Sequence, residues 1–413
     1  MAHDPLTAEA RTALERIGAA ELVIAVPISQ SRASLDGVAA AVRTGLETRF
    51  AGHSAAVIQI ARAPDDEPEA AQPVQPFGTI PHVRIQPAHA PGGLMAEGWR
   101  DEAVSVTLAA GRALDARAIL LLDPEIKSLT VEWVGGLGGA LLADDCGMVV
   151  PVYQSGRYEG TLTQALVVPL VRALFGKRLA RPLAEEFGCS GKAAQFLLEQ
   201  DVWATDLGRD GIEFWMPAAV IAEGLPISET ALGPRRFAAP ARPTPLGEIV
   251  GRTARALFAI AERHEIAWLE REGSDAVPCA GPLPELRPDP APDPERMLGG
   301  FRQGVRDLLP VWERILAPET LNDVLALSEE YGSHFRFPDR LWAHVVYDFL
   351  LAYRARVVYR SHVAQSLAPL YLGRVASVIC ETRERPPSAV AEVTERLCRV
   401  FEQSKPYLTD RWR

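Results

Sequence analysis

Through its first 153 residues the chain alternates short apolar runs with longer stretches of helical period. ELVIAVP (21–27) is β-branched, apolar throughout its interior and ends in Pro, the pattern of a buried strand. Apolar residues at 35, 38, 42, 46 and 50 then fall on one helical stripe, with Ser31 or Ser34 as candidate N-cap. AAVIQIA (55–61) is a second strand, ARAPDDEPEAAQPVQP an acid- and Pro-rich loop, and HVRIQP (82–87) a weaker strand. A helix is expected over 99–114 and the strongest strand, RAILLLD, over 117–123. A Gly-containing helix over 130–144 and a strand over 146–153 follow.

Strand and helix in alternation predict an α/β fold, a mostly parallel sheet with helices on both faces. Ligands of such sheets sit outside the carboxyl ends of the strands. Pro27, the loop at 62–70 and Asp123-Pro124-Glu125 are therefore expected to share one cleft.

Beyond 153 the pattern turns helical. EGTLTQ precedes an apolar helix, RPLAEEFGCSGKAAQFLLEQ reads as a loop and then a helix capped at Ser190, and DGIEFWMPAAVIAEG as another apolar helix. PISETAL (226–232) is a strand. A long amphipathic helix is expected after 243, with Thr244 as N-cap and Pro245 at its first position. The Pro-rich 273–295 reads as an exposed loop and 296–413 as helical throughout. Two regions are expected, an α/β domain over 1–235 and a helical region over 236–413.

The formal net charge of −10 argues against nucleic acid as partner, since a phosphate-tracking surface needs basic excess. Five widely spaced Cys without a CxxC pair point to reduced thiols. The charged N-terminus lacks a signal-type apolar core and no run reaches 18 apolar residues. A cytoplasmic protein without a membrane span is the expectation.

Asp123 and Glu125, at i and i+2 after the strongest strand, can aim two carboxylates at one hard cation such as Mg²⁺ or Mn²⁺. The same residues also suit a plain turn, with Asp accepting a backbone N–H and Pro fixing φ. Glu213 and Glu186 stand near apolar segments. Each is either a salt-bridged helix or surface acid, or a general base or acceptor of sugar hydroxyls. Thr161 and Thr163 are N-cap candidates at a helix start that could also take a carboxylate or phosphate. Arg235-Arg236 reads as an exposed pair, and His344 as a core residue on an aromatic helix face. No GxGxxG follows the first strand, and no P-loop or GxSxG occurs.

Taken in order, ELVIAVP, ILLLDPE, RYEGTLTQALVVPLVRALFGKRLARPLAEEFGCSG, DVWATDLGRDGIEFWMPAAVIAEGLPI, LWAHVVYDFLLAYR and LAPLYLGRVAS resemble one group of glycosyltransferases. These are retaining GT-A-fold enzymes similar to glucosylglycerate, glucosyl-3-phosphoglycerate and mannosylglycerate synthases. The resemblance implies sugar transfer from a nucleotide-diphosphate donor to a small acceptor such as glycerate; the helical C-terminal region, with its aromatic-rich stretches, is separately expected to support a homodimer. By that resemblance Asp123 and Glu125 take the place of an Asp-x-Asp motif that holds Mg²⁺ or Mn²⁺ on the donor diphosphate. Pro27 and Ser29 lie against the nucleotide, Asp65 stands nearest the acidic turn that contacts the base, Thr161 and Thr163 grip the acceptor carboxylate, and Glu213 lies beside the reacting sugar. The sequence departs from the family pattern at four points. Glu125 replaces an Asp, Phe237 stands about where a metal-binding His is usual, Asp65 and Asp66 are displaced in ARAPDDEPE, and PGGLMAEGWRD lacks the expected Lys, for which Arg100 or Arg235 is a candidate substitute. These departures leave a second reading, a catalytically impaired relative serving as a binding or regulatory module.

Overall fold

The computed structural model describes residues 4–27, 32–61, 77–88, 99–143, 146–236, 244–330, 332 and 334–413. Ser29, Asp65 and Phe237 lie outside them.

In chain order the first elements are α1 (Ala8–Ile17), β1 (Leu22–Pro27), α2 (Arg32–Arg49), β2 (Ala55–Ile60), β3 (His82–Ile85) and α3 (Trp99–Ala113). Next come β4 (Ala118–Leu121), α4 (Val131–Leu142), β5 (Met148–Gln154), α5 (Val168–Phe175), β6 (Lys177–Arg178), β7 (Phe187–Ser190) and α6 (Gly191–Leu198). Short α7 (Asp206–Asp210), α8 (Ile212–Ala222), β8 (Ile227–Pro234), α9 (Leu246–Arg263), α10 (Glu265–Trp268), β9 (Asp275–Ala276) and β10 (Cys279–Ala280) follow. Six helices complete the chain: α11 (Pro294–Ile315), α12 (Pro318–Ser328), α13 (Asp339–Ala355), α14 (Arg360–Ser366), α15 (Ala368–Thr382) and α16 (Ser388–Trp412).

Two compact units divide these elements. The first comprises 1–153, 183–240 and 277–284; the second comprises 154–182, 241–276 and 285–413. The division is thus not a single cut at 235. Residues 154–182 join the second unit because α5 packs on α16 and β6 pairs with β9. Residues 277–284 return to the first because β10 pairs with β8.

The first unit is built on a sheet of order β10-β8-β5-β7-β4-β1-β2-β3. β1 pairs in parallel with β2 and β4, β2 with β3, and β8 with β10. The continuous burial of β1 and β4 is what a parallel strand covered on both faces requires. One strand runs the other way. β7 lies antiparallel between β4 and β5, with Leu121 opposite Phe187. The loop expected there corrects to a strand: four residues containing a Gly and a Ser give no apolar run, and pairing on both sides supplies the order instead. The cap at Ser190 is present, its hydroxyl accepting the Ala193 N–H at 3.2 Å.

α4 lies unusually close on this sheet. A methyl on Gly136 of α4 would sit 2.5 Å from the Thr230 hydroxyl oxygen of β8, and one on Gly188 of β7 would sit 2.4 Å from the Leu137 carbonyl oxygen. The glycines of VEWVGGLGGALL therefore lower helix propensity but allow this approach. Val134, Leu137 and Leu141 of α4 complete a core with Leu22, Ile24, Val57 and Leu120.

The second unit is helical around a core containing Trp312, Trp342, Tyr347 and Phe301. Arg172 of α5, 7% exposed in its side chain, is paired with Glu395 (2.6 Å) and Glu402 (3.0 Å) of α16. The Lys405 amino group donates to the carbonyl oxygens of Trp268 (2.7 Å) and Arg271 (2.6 Å). The long helix expected after 243 begins at Leu246, with Pro245 in the N-cap position and no side-chain cap from Thr244. It ends at His264, which stacks edge-on to Phe175 with ring centres 6.2 Å apart; α10 then starts afresh. The stretch Arg360–Thr382 is long and apolar enough to cross a membrane by composition, yet 72% of its apolar window is buried within the protein as a core helix pair would be. The segment 273–295 is largely exposed as expected, but it also supplies β9 and β10.

Candidate functional site

Strand direction brings a group of polar side chains to one edge of the first unit's sheet. β4 delivers Asp123 just beyond its carboxyl end, beside β1, where the Leu122 N–H bonds the Ala25 carbonyl at 3.0 Å. β7, running oppositely, delivers the residue before its start, Glu186, to the same edge. β5 supplies Tyr153 and β8 supplies Arg235 after Pro234.

The turn after Asp123 is fixed at both ends. Asp123 Oδ1 accepts the Glu125 N–H at 2.9 Å, and the Asp123 carbonyl accepts the Ile126 N–H at 3.3 Å. Pro124 is buried, and Ile126 packs with Trp133, Tyr153 and Leu232 in a small apolar cluster. Across from it the Ser128 hydroxyl donates to the Pro234 carbonyl, Ser128 Oγ accepts the Arg236 N–H (3.0 Å), and the Lys127 N–H reaches the Arg236 carbonyl (2.9 Å). The end of β8 is thereby tied to the Asp-Pro-Glu turn. The turn reading is realised for one oxygen of Asp123, and the residue types at 123 and 125 still fit a cation that draws the rest of its shell from phosphate oxygens and water. Among the described residues, no group of three His, Cys, Asp or Glu side chains gathers as a metal cage.

Arg235 is not the exposed side chain expected of the Arg235-Arg236 pair. It is 13% exposed, and it donates to Glu185 Oε1 (3.0 Å) and Glu186 Oε1 (2.9 Å). Its guanidinium lies 5.3 Å from the centre of the Tyr153 ring, and that ring stacks on Trp133 at 5.2 Å and 28°. Arg236 beside it is exposed. The reason is the tether from 127–128, which turns one arginine of the pair inward.

Glu186 is fully buried and takes a hydrogen bond from the Tyr153 hydroxyl in addition to the Arg235 pair. A buried carboxylate with a cation and a phenol donor is held in a fixed orientation. For Arg235, burial works against the charge, but Glu186, Tyr153 and Asp123 outweigh it and raise its pKa above the usual guanidinium value. Asp123 thus belongs electrostatically to the same cluster.

Glu213 lies in the first turn of α8, half-buried, and its backbone carbonyl accepts the Ala184 N–H at 2.8 Å, two residues before Glu186. Pro27 ends β1, beside the strand that leads to Asp123. Thr161 and Thr163 belong to the second unit. Thr163 opens a π-helical turn through Val167, and the Thr161 hydroxyl is 2.6 Å from that of Tyr371. Tyr153, Trp133 and Glu185 are the site's participants that sequence reading missed. Tyr153 at the carboxyl end of an apolar strand was the available signal.

No protein-family model matches the chain, and no curated protein matches it. Among solved structures it is similar to glucosyl-3-phosphoglycerate synthase from Mycobacterium tuberculosis in complex with Mn²⁺ and uridine-diphosphate-glucose, at 18% identity and a TM-score of 0.42, covering 64% of this chain and 85% of that one. Mannosyl-3-phosphoglycerate synthase from Rubrobacter xylanophilus matches at 15% identity and TM-score 0.37, over 63% and 80% of the two chains. A mannosyltransferase from Pyrobaculum calidifontis in complex with GDP-Man and Mn²⁺ matches at 10% identity and TM-score 0.35, over 97% and 90%.

Proposed function

We propose that the chain is a glycosyltransferase that moves a sugar from a nucleotide-diphosphate-sugar donor to a small hydroxy-acid acceptor such as glycerate, with retention. The observation that carries this reading is the convergence of Asp123, Glu186 and Arg235 on the carboxyl edge of a mostly parallel sheet, where ligands of such sheets bind. Asp123 and Glu125 are the residues for Mg²⁺ or Mn²⁺, which when bound would neutralise charge on the departing diphosphate.

The chain's own groups have these roles. The bond from the anomeric carbon to the diphosphate oxygen breaks with its electron pair going to that oxygen, and the acceptor hydroxyl oxygen bonds the carbon while its proton passes to the departing diphosphate. Arg235, held charged, offsets part of the carboxylate charge beside Asp123 and so lessens the repulsion that the diphosphate meets there. Glu186 orients Arg235 and balances it. Glu213 is the acid beside the sugar, accepting from its hydroxyls or stabilising positive charge at the anomeric carbon. Pro27, Ser29 and Asp65 border the nucleotide, and Thr161 with Thr163 receives the acceptor carboxylate. We assign the working form as a cytoplasmic homodimer.

A second reading, an impaired relative that binds without transferring, draws on the bond that occupies Asp123 Oδ1. Calorimetry with UDP- and GDP-sugars, with and without Mn²⁺, followed by assay of transfer to glycerate, separates the two. Metal-dependent binding with transfer supports the enzyme; binding without transfer supports the module. No binding up to millimolar sugar nucleotide overturns both.

A further inference from the structure

Many arginines of the second unit find acids. Arg172 meets Glu395 and Glu402, Arg374 meets Asp339 at 2.6 Å, Arg396 meets Glu381 at 2.7 Å, and Arg385 meets Glu392 at 2.6 Å. In a chain of net charge −10 this is the expected outcome. Two depart from it. Among the described residues, neither Arg314, at the end of α11, nor Arg356, just after α13, forms a salt bridge with a carboxylate. The Arg314 guanidinium donates instead to a neutral acceptor, the Val357 carbonyl at 2.7 Å, so its charge is left uncompensated.

Both arginines line one open pocket of about 690 Å³ together with Val358, Tyr359, Arg360 and His362. That volume falls within the ~300–1,000 Å³ of small-molecule pockets. Apart from the Tyr359 phenol, every ionisable side chain in the lining is basic. Arg360 is the one partly neutralised, by Glu262 at 2.7 Å. Tyr359 is 79% exposed, an uncommon state for a large aromatic side chain, and it is set edge-on to His362 at 5.7 Å. The loop between α13 and α14, which carries Arg356, Val358 and Tyr359, holds Arg356 at φ 54°, in the left-handed region that glycine or asparagine occupies at lower cost. Backbone strain thus accompanies a side chain with no acidic partner.

Guanidinium groups match phosphate oxygens in pairs, and an exposed phenol offers a face on which a flat ring stacks. We propose that this pocket is a binding site for a nucleoside di- or triphosphate, with phosphates on Arg314 and Arg356 and the base on Tyr359. It lies wholly in the second unit, and its argument does not depend on the function assigned to the first.

The test is calorimetric titration of the full chain with ADP and with pyrophosphate, at low salt in EDTA. Four proteins are compared: the native sequence, Arg314→Ala/Arg356→Ala, Tyr359→Ala and Asp123→Ala. ADP is expected to bind the native protein, at least tenfold more weakly to the double arginine variant and several-fold more weakly to Tyr359→Ala. Any ADP taken up at the sheet edge of the first unit is lost in Asp123→Ala and is thereby separated from the pocket's share, and pyrophosphate binding should be indifferent to Tyr359. All three pocket side chains are exposed, so urea midpoints near the native value are expected and verify folding. Absence of ADP binding at millimolar concentration overturns the proposal, as does ADP affinity that survives loss of both arginines. Pyrophosphate bound as tightly as ADP shows a plain phosphate site and removes the nucleoside. Capture on acidic phospholipid vesicles without ADP binding makes the patch a membrane contact and overturns it as well.

Discussion

Arg235 and Glu186 meet at 2.9 Å although 49 residues separate them, and each is useful only because the other is there. Glu186 has no exposed surface, so without Arg235 it would be an ionised group in an apolar setting. Removing one partner of such a pair costs about 3–5 kcal/mol, whereas removing both charges costs much less. Arg235→Ala is therefore expected to lower the urea unfolding free energy by about 3 kcal/mol or more. Arg235→Met with Glu186→Gln should recover most of that. A double-mutant cycle checks the prediction, and additive losses would show that the pair is not coupled.

Asp123→Asn retains an oxygen for the Glu125 N–H and so should retain the turn, while the negative charge is lost. Thermal stability should change by less than about 1 kcal/mol. Metal dependence of sugar-nucleotide binding should disappear. Undiminished dependence on Mn²⁺ in the variant removes Asp123 from the proposed metal site.

Gly188→Ala is expected to destabilise the first unit by about 1–3 kcal/mol, because the new methyl lies 2.4 Å from backbone, the Leu137 carbonyl oxygen, which has no rotamer by which to yield. Gly139→Ala is the control. A methyl there meets nothing within 4 Å, and the gain in helix propensity should leave stability equal or higher. Denaturant midpoints for the two variants measure the contrast.

Burial, aided by the nearby Arg263 charge, pulls the His264 pKa down to about 4 from the ordinary 6.5. The unfolded chain thus binds more protons at this position between those two values, and this contribution to stability declines as pH falls from about 6.5 to about 4. His264→Phe, which cannot take up a proton, should flatten the dependence of the urea midpoint over that window. An unchanged slope assigns the acid sensitivity to other groups.

The strands legible in the sequence were those whose order comes from their own apolar content. LVIAVP, AAVIQI and AILL are apolar enough to declare themselves. β7 was not legible: FGCS carries no alternation and no long apolar run, and it becomes a strand through neighbours placed by residues 118–121 and 148–149. The two residues of β10 follow the same logic. In the site, Asp123 and Glu186 were legible as candidate acids from residue type and place. The environment of Arg235 was not, because an Arg-Arg pair before a Pro-rich stretch reads as solvated. Only the tether from Lys127 and Ser128, more than a hundred residues earlier, turns one of the two inward. Information of that range is carried by topology and has no local signature.

The reversed strand also sets an order of events during folding. Asp123, Tyr153, Glu186 and Arg235 come from four separate strand ends, and the oppositely directed β7 has to slot between β4 and β5 before Glu186 can reach the other three. Loop closure over such separations is slow relative to local helix formation. The cluster therefore reports completion of the sheet: protection of the Gly188 amide from exchange, and quenching or shift of Trp133 emission beside Tyr153, should appear together in the last phase of refolding. An intermediate lacking that phase would carry most of its helices and none of its proposed chemistry.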